Sequence, residues 1–235
     1  MLRILVANLL LLVGTMASGI VGFGSNLIAA PVLVLLDPRL VPGPAIASSL
    51  VTNLVMMRLY RGERPWARLR GPLLGLGPGA ALGALVLASI SKRTLGMVIG
   101  VVVLVALGLI VRTPGRRLLR SGALAGLLSG TLQTSVSIGG PPIALWSRDL
   151  TPDDRRALLP RFFLVASAIG VLALAASGQF GWPAAVRSLE LMPGSVGGLV
   201  LARLIVRRRR DHPWSGLVYG LVAVSGLGAL AHGLW

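Results

Sequence analysis

What most constrains this chain is a series of apolar runs, each about as long as a bilayer is thick, separated by short arginine-rich segments. A helix rising about 1.5 Å per residue needs about 20 apolar residues to cross a hydrocarbon core about 30 Å thick. Six runs meet that length, at 41–59, 71–90, 95–111, 158–176, 184–206 and 214–234. The 235 residues are 54% apolar and 13% charged, against roughly 25% charged in a soluble domain. A water-soluble globule is excluded. The 31 glycines and 15 prolines follow no three-residue period, and so much apolar surface does not stay disordered, so neither a collagen-like nor a disordered chain fits. An all-α polytopic membrane protein remains. With no cysteine, disulfides, thiolate metal sites and thiol nucleophiles are ruled out.

Lys and Arg outnumber Asp and Glu by 23 to 7, a net charge of +16 that in a soluble protein would suggest nucleic acid. The arginines instead cluster between apolar runs: Arg58, Arg61, Arg64, Arg68 and Arg70, then Arg112, Arg116, Arg117 and Arg120, then 207–210. Cytoplasmic loops have this composition because positive segments resist translocation, and lipid headgroups are their natural neighbours. No nucleic-acid partner is expected. The first run, with Arg3 ahead of 4–13, has the outline of a signal peptide, yet further spans follow and it is expected to stay in the mature protein.

Two segments do not read as simple spans. Residues 2–36 are interrupted by Gly19, Gly22, Gly24, Ser25, Asn26 and Pro31. Residues 118–146 are interrupted by Ser129, Gly130, Gln133, Ser135, Ser137, Gly139, Gly140, Pro141 and Pro142. Each is too long for one crossing and short for two, which predicts a broken helix or helical hairpin. The two also match one another. Ser18-Gly19 pairs with Ser129-Gly130 and Pro31 with Pro142, each 111 residues apart, while Pro78-Gly79 and Gly83 pair with Pro193-Gly194 and Gly198, 115 apart. The expected organisation is two transmembrane repeats, 1–112 and 113–235, each a broken hairpin plus three helices, together one transport domain.

Charge counting bears on their relative orientation. If each broken segment crosses once, the basic residues divide 11 to 12 between the two sides and no orientation results. If each returns to its starting side, the split is 18 inside to 5 outside. That predicts inverted repeats, with both termini outside.

Irregular backbone survives in a bilayer only where protein or water covers it, so the breaks are the expected site. The first offers Gly22, Gly24, Ser25 and Asn26 ahead of a short helix. The second offers Gln133, Ser135, Ser137, Gly139 and Gly140 ahead of a helix that Pro141 and Pro142 can start. Facing helix N-termini would make an anion cradle. Ser48, Ser49, Thr52 and Asn53 share one helical face, which either lines the path or bonds a neighbouring helix. Arg161 opens an apolar span and either meets an anion or snorkels to the interface. Glu190, three residues after Arg187, is either its ion-pair partner or a protonatable coupling group. Gly79, Gly83, Gly194 and Gly198 are expected to let helices pack closely.

The Gly22-Phe23-Gly24-Ser25 stretch with Pro31, the Ser137-Ile138-Gly139-Gly140-Pro141 stretch, and Ala47-Ser48-Ser49-Leu50 resemble the TauE/SafE family of sulfite exporters and related permeases, over essentially the whole chain. The resemblance implies an inner-membrane carrier for sulfur-containing anions such as sulfite, thiosulfate or organosulfonates, driven by a proton or ion gradient and needing no cofactor. The alternative is a carrier or channel for a different small anion or solute; an oligomer is compatible with either. An intramembrane enzyme is disfavoured. A nucleophile needs a positioned base, and the only histidines, His212 and His232, pair with no motif serine. The seven acidic residues lie mostly in loops, so no metal site is expected either.

Overall fold

The computed structural model describes residues 2–21, 25–60, 65–113, 118–208 and 214–234, which form ten α-helices and one 3-10 turn, with no strand among them. The first broken segment is α1 (Leu2–Val21) and α2 (Ser25–Leu36), followed by the 3-10 turn Pro38–Leu40. Three long helices follow: α3 (Gly43–Leu59), α4 (Pro65–Ser89) and α5 (Lys92–Arg112). The second broken segment is α6 (Gly122–Val136) and α7 (Gly140–Trp146), and α8 (Pro152–Ala176), α9 (Trp182–Arg208) and α10 (Trp214–Leu234) complete the chain. Every apolar run has become a helix, the second odd segment breaks in two at 137–139, and residues 22–24, where the first is interrupted, lie outside the described residues.

By length and composition, stretches Trp66–Ser89 and Asp153–Ala176 can each cross a membrane. Large apolar side chains such as Leu74, Leu172 and Val224 point outward from the bundle, a surface that water penalises and hydrocarbon accepts.

In a bilayer, helices gain little hydrophobic free energy by meeting, and close van der Waals contact through small residues holds them instead. The packing of α4 on α6 shows this most fully. A Cβ at Gly75 would collide with Ala123 and Leu127 backbone, one at Gly79 with the Leu127 carbonyl, and one at Gly126 with the Pro72 carbonyl. On α9, Gly194 and Gly198 lie equally close to the Asn8 and Leu12 backbone of α1, so all four glycines expected to serve packing do so. Here a side chain also enters the contact. Pro193 disturbs the α9 bond ladder, and the Asn8 amide spans the step beside it, donating to the Glu190 carbonyl at 2.8 Å and accepting from Gly194 N–H at 2.6 Å.

Contacts fix which helix ends lie together. At one end of the bundle, Arg68 pairs with Asp154 at 2.8 Å, joining the starts of α4 and α8. Arg148, past the end of α7, donates to Thr113 Oγ1 at 3.0 Å beside the end of α5, and Gly122 at the start of α6 abuts Pro72 near the start of α4. At the other end, Gln179 beyond α8 donates to the Ala84 carbonyl of α4 at 3.0 Å, and Gly43 at the start of α3 abuts the Phe180 ring. Arg3 and Leu36, Asp37 and Arg39 line one groove, so α2 ends beside the start of α1. Short connections from there lead into α3.

Candidate functional site

The α6–α7 break is set by local chemistry. Ser137 caps α6 in the left-handed region, at φ 60° and ψ 17°. Its N–H bonds the Gln133 carbonyl at 2.9 Å, and the Ile138 N–H reaches the Leu132 carbonyl at 3.2 Å. The Ser137 bond is the 5→1 bond of the αL pattern of helix termination, and together the two bonds tie two of the last α6 carbonyls back toward the break. Gly139 is required by crowding, since a Cβ there would stand 2.8 Å from both Gln133 Oε1 and the Ser129 carbonyl. Helix α7 then starts on Gly140 with prolines in its first turn, where proline's missing N–H costs no helical bond.

This break faces the start of α2 across a small cavity of about 40 Å³, room for a few water molecules at about 10–15 Å³ each. Ser25 and Asn26 line it from α2, Ser49 and Asn53 from α3, Gln133 from α6, and Ser137, Gly139 and Gly140 from the break. Leu27, Met56, Ile138, Pro160 and Phe163 supply its apolar surface. Eight of the residues singled out in the sequence therefore converge on one place, from three separate stretches of the chain, 25–26, 49–53 and 133–140.

Three others stand outside it. Ser48 donates to the Ala45 carbonyl at 3.1 Å and Ser135 to the Thr131 carbonyl at 2.7 Å, each within its own helix. The Arg161 guanidinium donates to the Tyr60 carbonyl at 3.0 Å, the Met57 carbonyl at 3.3 Å and the Ala157 carbonyl, so it closes the end of α3. Gly22 and Gly24 lie outside the described residues. Glu190, held through its carbonyl by Asn8, does not line the cavity.

A hydrogen-bonded chain runs behind the polar wall. Gln133 Nε2 donates to Ser167 Oγ at 3.3 Å, and Ser167 Oγ meets Ser49 Oγ at 3.0 Å. Ser49 gives its one proton to the Ile46 carbonyl at 2.6 Å, so it accepts from Ser167, which in turn accepts from Gln133. The opposite side of the Gln133 amide, Oε1, accepts the Gly139 N–H at 3.0 Å. Ser167 is fully buried and is the member of this network that sequence reasoning missed. Ser137 Oγ, 1% exposed, has no partner, and an unpaired buried hydroxyl costs about 1–3 kcal/mol.

The site is thus a small hydrogen-bonding hollow, uncharged among the described residues, placed where two interrupted segments meet. No curated protein matches the chain, and neither does any solved structure. A family model described as sulfite exporter TauE/SafE matches residues 6–229. Matched over nearly its whole length, the chain belongs to the TauE/SafE sulfite exporter family, whose members are multi-pass membrane transporters.

Proposed function

We propose that the protein is a secondary carrier of the cytoplasmic membrane that moves small sulfur-containing oxyanions, such as sulfite, thiosulfate or organosulfonates, through the cavity between the two breaks. The observation that carries this reading is the unpaired Ser137 hydroxyl, buried at the cavity wall opposite the N-terminus of α2. An oxyanion would accept from it and remove its cost. The contacts of the guest are assigned to Gly22, Gly24, Ser25, Asn26, Ser49, Asn53, Gln133, Ser137, Gly139 and Gly140. Ser48, Ser135 and Arg161 enter as supports of the helices behind them.

The two halves, 1–112 and 113–235, are read as inverted repeats whose hairpins approach the midplane from opposite faces, a common build for secondary transporters. Partner exchange supports this. Helix α4 of the first half packs on α6 of the second, α9 of the second packs on α1 of the first, and the counterparts α3 with α8 and α5 with α10 pack on each other.

Counterflow of labelled sulfite and thiosulfate in proteoliposomes tests the function. Saturable exchange, accelerated by unlabelled anion on the far side, is expected. Flux that never saturates would mean a channel, and no uptake of any sulfur oxyanion would mean a different solute.

A further inference from the structure

Among the described residues, the walls of the cavity hold no ionisable side chain, and that limits the charge of what can occupy it. Helices α2, α6 and α7 carry no charged residue along their lengths. On α3 the one charge is Arg58, exposed at the far end. On α8, Asp153, Asp154, Arg155 and Arg156 lie in the first turns, Asp154 paired with Arg68, and Arg161 is spent on carbonyls. A guest therefore meets neutral dipoles only. The side-chain donors are few: the Ser137 hydroxyl, the second N–H of Gln133 Nε2, the Ser25 hydroxyl and the Asn26 and Asn53 amides. The first turn of α7 is poor in N–H groups because Pro141 and Pro142 have none.

The attraction of fixed dipoles grows in proportion to the guest's charge, whereas the cost of stripping its water grows with the square of the charge. Going from one charge to two about doubles the first and about quadruples the second. A cavity that added a cation could absorb the difference; this one does not.

Resting on the carrier reading above, we infer that the cavity selects singly charged oxyanions over doubly charged ones of the same shape. Sulfite is then bound as hydrogensulfite, and monosulfonates are taken in preference to sulfate. Because the walls do not titrate, any pH dependence of affinity belongs to the guest.

The test uses the purified full chain and two near-isosteric tetrahedral probes, methanesulfonate with one charge and sulfate with two, alongside sulfite. Binding is read by calorimetry and by ligand-dependent thermal stability across the second ionisation of sulfurous acid. Methanesulfonate affinity should stay flat with pH, sulfite affinity should rise as pH falls, and sulfate should bind at least about tenfold more weakly than methanesulfonate. Asn53→Lys, which adds a cation to the wall, should shift the preference toward sulfate. Sulfate binding as well as methanesulfonate, with both weakened in Ser137→Gly, would overturn the charge rule and leave the site intact. No anion bound, with Ser137→Gly indistinguishable from the parent, would overturn the rule and the carrier reading together.

Discussion

At the residue scale, Ser137 does two jobs that can be separated. Its backbone turns the chain out of α6 at φ 60°, a conformation that costs an L-residue about 1–2 kcal/mol and glycine far less. Its hydroxyl is left unpaired at the cavity wall. Ser137→Gly keeps the turn and deletes the hydroxyl. The expected outcome is a melting temperature equal to or above the parent's, because relief of strain and loss of an unsatisfied group offset glycine's larger chain entropy. Anion affinity should fall about tenfold, the worth of one hydrogen bond to a charged acceptor. Differential scanning fluorimetry and calorimetry on the same preparation separate the two effects; lower stability with unchanged affinity would assign the hydroxyl to structure alone.

At the element scale, stability rests on how closely α4 and α6 approach. Gly77 and Gly79 lie on the same helix, yet a Cβ at Gly77 meets nothing within 4 Å while one at Gly79 meets the Leu127 carbonyl and Cα. Gly77→Ala is expected to be tolerated and Gly79→Ala to lower the melting temperature, by about 1–3 kcal/mol of overpacking; equal effects from both would mean that the interlock does not hold the helices. The sequence made this level legible because glycine and proline carry their meaning locally. The second interrupted segment broke within its Gly/Ser-rich stretch, and 79, 83, 194 and 198 became contact glycines. Helix starts were less legible. Helices α4 and α8 begin at Pro65 and Pro152, ahead of their apolar runs, because charged first turns such as those bearing Arg68 and Asp154 continue a helix beyond the hydrocarbon. Ser167 and Asn8 could not be read at all. Each is a single small polar residue in an apolar run, and its partners, Gln133 with Ser49 and the Glu190–Gly194 step, are distant in sequence.

At the scale of the whole molecule, the helix ends tied together by contacts turn the charge distribution into a topology. Among the described residues, the end that joins Arg68, Arg148 and Arg161 also collects Arg58, Arg70, Arg112, Arg120, Arg155, Arg156 and Arg203 from the richer side of the 18-to-5 split, and the end near Arg3 and Arg39 belongs to the sparse side. Under the positive-inside tendency the first end is expected to face the cytoplasm. Helix α8 tests this by itself, since Asp153 is exposed at its start and Gly178 just past its end. The chain has no native cysteine, so Asp153→Cys and Gly178→Cys each place one thiol in an unmodified background. In intact cells an impermeant maleimide should label Gly178→Cys directly and Asp153→Cys only after the membrane is opened. The reverse result would invert the orientation and leave the repeats standing. Labelling of both from outside would mean that α8 does not cross, and the second hairpin would then have no opposite face from which to meet the first.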